Sequence, residues 1–188
     1  MSTNNKEMSF KSNIRLFGNV RVLVISALFI AMSIVLGKLL AFNIGNSIRI
    51  SFENLPVLMA GIFFGPLIGA VVGMGADIIG CLIVGYSINP IITLGVVCVG
   101  FVSGLLAQLI KTDKIPLRIY PSVLIAHVIG SMIVKSIGLY IYFHTPMPVL
   151  LTRIPIYTVT GIVEATIIII LLSNKAFSNE LKKVVSDK

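Results

Sequence analysis

Six apolar stretches, five of them at or near the length of a bilayer crossing and one short, constrain this chain more than anything else in it. A helix needs about 20 largely apolar residues to cross about 30 Å of hydrocarbon. Residues 22–40 supply the first, interrupted only by Lys38. Residues 55–84 are too long for one span, and Gly65-Pro66 divides them into a short second helix, 55–64, and a third, 66–84. Residues 90–110, 119–143 and 155–173 complete six predicted spans of an all-α integral membrane protein. The composition agrees: 56% of residues are hydrophobic and 12% charged, whereas soluble domains carry about a quarter charged residues. That balance excludes a soluble globular fold, and also disorder, which needs low hydrophobicity. The chain 1–188 reads as one membrane domain, with an N-terminal segment 1–20 and a tail 174–188 on the cytoplasmic side. The first span is longer than the core of a cleaved signal and five more follow it.

Basic residues set the orientation. Lys6, Lys11, Arg15 and Arg21 precede the first helix, Lys111, Lys114 and Arg118 join the fourth to the fifth, and Lys175, Lys182, Lys183 and Lys188 follow the sixth. Six spans put all three groups on one side, which the positive-inside rule assigns to the cytoplasm. Topology thus accounts for most of the formal charge of +8, and no nucleic acid is needed to explain it. Cys81 and Cys98 fall inside spans with no CxxC spacing and read as structural thiols; no metal or cofactor site is expected.

The remaining charges carry the functional signal. Lys38, Arg49, Lys135 and Arg153, with Glu53, Asp77 and Glu164, all fall in the outer half or the outer loops. Charges in lipid are costly, so they face a partner or a cavity; their concentration on one side points to a single polar cavity open outward. Helical spacing supports this. His127, Ser131, Lys135, Gly138 and Tyr142 share a face of the fifth helix, Arg153, Tyr157, Thr160 and Glu164 a face of the sixth, and Asn89 and Thr93 a face of the fourth. Mutual pairing, of Lys135 with Glu164 or Arg153 with Glu53, competes with ligand binding as an explanation. His127 lies deep enough to be a packing or hydrogen-bonding residue, and Asp77 among its glycines is a candidate brace for backbone. In the first outer loop Ile48, Ile50 and Phe52 alternate with Arg49, Ser51 and Glu53, the period of an extended strand. Such a loop is suited to covering the cavity as a lid.

No phosphate-binding GxxxxGK[ST] loop, HExxH or GxSxG is present. No filter-like pore motif appears either. The segment Arg49-Ile-Ser-Phe-Glu-Asn-Leu-Pro-Val-Leu-Met-Ala-Gly-Ile-Phe-Phe-Gly-Pro-Leu-Ile-Gly-Ala-Val-Val-Gly-Met-Gly-Ala-Asp-Ile-Ile-Gly80 resembles the substrate-binding S components of energy-coupling factor (ECF) vitamin transporters. The pattern is carried by Leu55-Pro56, Gly61, Phe64-Gly65-Pro66, Gly69, Val72-Gly73 and Ala76-Asp77. The RISF run and Asn89-Pro-Ile-Ile-Thr93 resemble the folate-specific group. The resemblance covers the membrane region and implies a multi-pass protein of the bacterial plasma membrane that is not an enzyme. It implies that the subunit binds its vitamin outside, docks on a transmembrane coupling protein (T component) with two ATPase subunits, and topples to deliver the substrate inward. The family's small-residue docking motif is matched by Ala27 and Ala31.

Folate suits these residues chemically. Its glutamate tail offers two carboxylates to Arg49, Lys135 or Arg153, and its pterin ring offers N–H groups to Glu164 or Asp77. Phe52, Tyr140, Tyr142 and Tyr157 can stack on flat rings, while Ser51, Asn89 and Thr93 add polar contacts. Pantothenate and riboflavin remain alternatives. So does a small intramembrane enzyme using Glu164, Asp77 and His127 as acid, base or metal groups.

Overall fold

Inside a bilayer every backbone polar group must find its partner within the protein, which leaves helices and closed barrels. The computed structural model describes residues 18–44, 48–112 and 114–186, and the chain takes the helical solution. Helix α1 spans Val20–Ile34 and continues through a π-helical turn, Val35–Leu39. A two-stranded antiparallel hairpin follows, β1 (Phe42–Ile44) and β2 (Ile48–Ile50), with Asn43 opposite Arg49. Then come α2 (Asn54–Phe64), α3 (Pro66–Val84), α4 (Pro90–Leu109), α5 (Ile115–Phe143), α6 (Met147–Ser173) and α7 (Lys175–Ser186).

Five of these, α1 and α3 to α6, are long and apolar enough to cross a membrane. Helix α2 is not. Its 11 residues rise only about 16 Å, so the expected second span becomes a half-length helix, with nine of its residues buried. Gly65, at φ 99°, lets α2 end and α3 begin with a proline at its first position. At its other end, the Ser33 hydroxyl donates to the Glu53 carbonyl at 2.6 Å, so α2 starts beside the body of α1. The chain before α2 therefore enters the protein at depth, which is tolerated only where a cavity or packed protein satisfies the backbone.

Several boundaries differ from the sequence reading. Helix α5 begins at Ile115 rather than 119, and Pro121 lies within it. Helix α6 begins at Met147, with Pro155 inside it rather than at its start; in membrane helices neighbouring groups can satisfy the carbonyl that a proline leaves free. The tail 174–188 contains α7, whose Phe177 ring meets Phe63 at 5.6 Å and whose Val184 carbonyl accepts from Asn19 at 2.9 Å. The extended segment expected at 48–53 is a strand over Ile48–Ile50 only, and β2 lies against α6.

Glycines bring α2, α3 and α4 into backbone contact. A methyl on Gly69 would sit 2.5 Å from the Gly100 carbonyl oxygen, and one on Gly104 2.5 Å from that of Gly61. Where lipid gives no hydrophobic drive between helices, such close packing holds them together. Arg21, Lys111, Lys114, Arg118, Lys175 and Lys183 gather at the end of the bundle where α1 starts and α6 ends.

Candidate functional site

The opposite end is hollow. A cavity of about 770 Å³ lies between the end of α1, the segment after β2, α3, the start of α4, α5 and α6. Of the expected residues, Ser51, Asp77, Asn89, Lys135, Arg153 and Tyr157 line it.

One wall is a network anchored on α2. Lys135, only 4% exposed, donates to Glu53 Oε1 at 3.1 Å and lies 3.5 Å from Asn54 Oδ1. Lys135 therefore pairs with Glu53 and not with Glu164. On the adjoining wall the Thr93 hydroxyl donates to Asp77 Oδ2 at 2.6 Å, holding Thr93 behind Asp77. Asn89 faces the cavity while its side-chain oxygen accepts from the N–H groups of Ile91 and Ile92, capping α4.

The opposing wall is a stack rising from the protein interior. The Arg153 guanidinium lies 5.0 Å from the Tyr157 ring centroid, and its Nη2 donates to the Ser131 carbonyl at 3.0 Å and the Tyr157 hydroxyl at 3.3 Å. Tyr157 stacks on His127 at 5.6 Å. His127 Nε2 then meets Glu164 Oε2 at 2.6 Å, and both side chains are fully buried. Glu164, expected in the binding site, lies beneath the wall instead, where His127 occupies one of its oxygens. Acid–base chemistry by Glu164, Asp77 and His127 together finds no common space, because Asp77 is on the wall and the other two are sealed behind Tyr157.

Tyr140 and Tyr142 do not reach the cavity. They are 54% and 55% exposed, and Leu139 and Phe143 line it in their place. The expected stripe assumes α-helical winding throughout. Residues His127–Val134 are π-helical, with i→i+5 bonds and more residues per turn. The stripe survives that segment, since His127, Ser131 and Lys135 are all buried; beyond it the winding is α-helical, and the cavity takes positions 139 and 143, four and eight residues on from Lys135, rather than 142. Phe52 is half-buried and outside the cavity wall. The backbone of Arg49 sits in β2, while its side chain falls outside the described residues. Lys38 and Tyr86 line the cavity and are not among the expected site residues. Lys38 is visible in the sequence as an interruption of the first span, whereas Tyr86 has no signal beyond its place after Gly85. Ala27 and Ala31 lie exposed on the outer side of α1, beside exposed Leu23, Val24 and Leu28.

A family sequence model described as "ECF transporter, substrate-specific component" matches residues 21–172. The chain belongs to the family of ECF transporter S components. Members are multi-pass membrane proteins and transporter components, not enzymes. A curated relative, the folate transporter FolT of Clostridium novyi (strain NT), is 38% identical over 64 residues, covering 34% of this chain and 37% of that protein. The match thus spans little more than a third of the relative's length. Two solved structures share the fold. A crystal structure of FolT bound with folic acid has a TM-score of 0.62 at 20% identity, covering 78% of this chain and 90% of that one. An S component of a bacterial ECF transporter has a TM-score of 0.62 at 24% identity, covering 86% and 97%. In this S component the polar cavity therefore sits in a scaffold shared with FolT.

Proposed function

We propose that this S component binds folate from outside the cell and releases it inward once docked on an ATPase-driven coupling module. One observation carries the reading: a single hollow end brings together Arg153, which has no carboxylate partner among the described residues, and Asp77, which meets only a hydroxyl there. A guanidinium suits the carboxylates of the glutamate tail, and a carboxylate suits the amino and ring N–H groups of a pterin. The cavity of about 770 Å³ is within the range of small-molecule sites, about 300 to 1,000 Å³. The folate transporter among the relatives supports the same substrate.

The basic end of the bundle faces the cytoplasm by the positive-inside rule, which opens the cavity outward. Strand β2 lies against α6, and the hairpin it forms with β1 serves as the cavity's cover. Ala27 and Ala31 give α1 a smooth exposed strip on which another helix can pack closely. The partners on this reading are a T component and two ATPase subunits.

Protein purified from folate-fed cells should carry pterin absorbance, and metal analysis should find none bound. Ala27→Trp should leave folate binding within about threefold of wild type, since a surface change away from the site has little effect, yet abolish uptake in cells expressing the coupling module. Loss of binding in that variant would contradict the docking role.

A further inference from the structure

Lys38 closes the α1 side of the cavity, and its contacts differ in kind from those of the other lining cations. Lys135 is ion-paired to Glu53 at 3.1 Å, and Arg153 donates to a carbonyl and a hydroxyl. Among the described residues Lys38 makes no hydrogen bond or ion pair. Its ammonium lies over the face of Tyr86, 5.4 Å from the ring centroid. Both side chains line the cavity.

Local structure fixes this pair. Lys38 lies in the π-helical turn that ends α1. Its stem passes close to α3, since a Cβ at Gly80 would stand 3.2 Å from Lys38 Cε. Tyr86 follows Gly85, whose φ of 75° turns the chain out of α3, and its ring is 56% exposed. A cation resting on a half-exposed ring is held weakly, whereas a charge-assisted hydrogen bond to a carboxylate is among the stronger contacts a side chain makes. An arriving anion can therefore draw the ammonium off the ring, and the uncovered ring face is then open to stacking.

We propose that Lys38 and Tyr86 form a two-part subsite for an aryl group bearing a carboxylate side chain, the ammonium binding the carboxylate and the tyrosine ring stacking on the aryl group. This rests on the reading of the cavity as a vitamin site and adds the determinant that selects a carboxylated aryl tail over a bare ring system. It also joins the ligand to α1, the helix whose outer side carries Ala27 and Ala31.

Titration of the purified full-length protein with folate and with 6-hydroxymethylpterin, which lacks the aminobenzoyl ring and its glutamate carboxylates, tests the subsite. Lys38→Gln should weaken folate about 10- to 100-fold, the worth of one hydrogen bond to a charged group, and the tail-less pterin by less than about threefold. Lys38→Arg should restore folate binding to within about threefold of wild type. The chain contains no tryptophan, so Tyr86→Trp introduces a single reporter whose emission folate should quench, and 6-hydroxymethylpterin should quench less. Should Lys38→Gln not fold, the Lys38→Arg and Tyr86→Trp measurements decide alone. Equal losses for the two ligands, no loss of folate binding, or an indole emission of the Tyr86→Trp variant unmoved by saturating folate would each overturn the subsite. Wild-type protein that binds neither ligand overturns the folate reading along with it, whereas folate binding indifferent to Lys38→Gln overturns the subsite alone.

Discussion

The two ends of this S component are built on opposite terms. Around Gly61, Gly69, Gly100 and Gly104 helices α2, α3 and α4 touch backbone to backbone, and no side chain separates them. Around Asp77, Lys135 and Arg153 the same bundle stands apart and encloses about 770 Å³. Helix α2 produces the contrast: it fills one end and stops at Asn54, leaving the other end to a loop and a cavity. The dense end holds the helices in place, so the hollow end can carry charged groups that lipid would otherwise exclude.

Substitutions can probe the two ends separately, and the largest effect belongs to the dense one. Gly100→Val puts bulk where a Cβ already meets the Gly69 backbone. It should cost about 3 kcal/mol or more of stability, read as a fallen melting temperature and aggregated elution in detergent. A variant that stays monodisperse with unchanged melting would contradict the backbone packing described for that end. Arg153→Ala, in the hollow end, should instead leave the fold intact and weaken folate about 10- to 100-fold, with a much smaller loss for tail-less pterin. Glu164→Gln falls between the two, because it changes the partner of buried His127 without touching the cavity wall. It should lower stability by about 1 kcal/mol and leave folate affinity within a few-fold, checked by melting and titration together. The smallest effect belongs to Tyr142→Leu. It should alter binding by less than about twofold, because Tyr142 does not line the cavity, whereas Phe143→Ala, at a lining residue, should weaken binding measurably. The reverse order would contradict the placement of Phe143, rather than Tyr142, on the cavity wall.

These pairs also mark what could be read from residues alone. Hydrophobic length gave the helices, because crossing lipid imposes a length that few other constraints mimic. The charges concentrated on the outer side pointed to a polar cavity, and Ser51, Asp77, Asn89, Lys135, Arg153 and Tyr157 line the one in the structure. Three features were hidden. Position 142 failed because the cavity lies to one side of the stripe, where residues 139 and 143 of the helix reach it and 138 and 142 do not. Glu164 failed because a buried acid on the inward stripe looks the same whether it faces a ligand or a histidine from the next helix. Tyr86 had no periodic context at all, being placed by the left-handed turn at Gly85.

On this reading the hollow end is a folate site that works by binding alone. Calorimetric titration of the purified wild-type S component with folate, in detergent and without ATP or coupling subunits, is the decisive experiment. Saturable one-to-one binding that 6-hydroxymethylpterin competes only weakly is the expected result. No binding of folate, with pantothenate or riboflavin bound in its place, would contradict it.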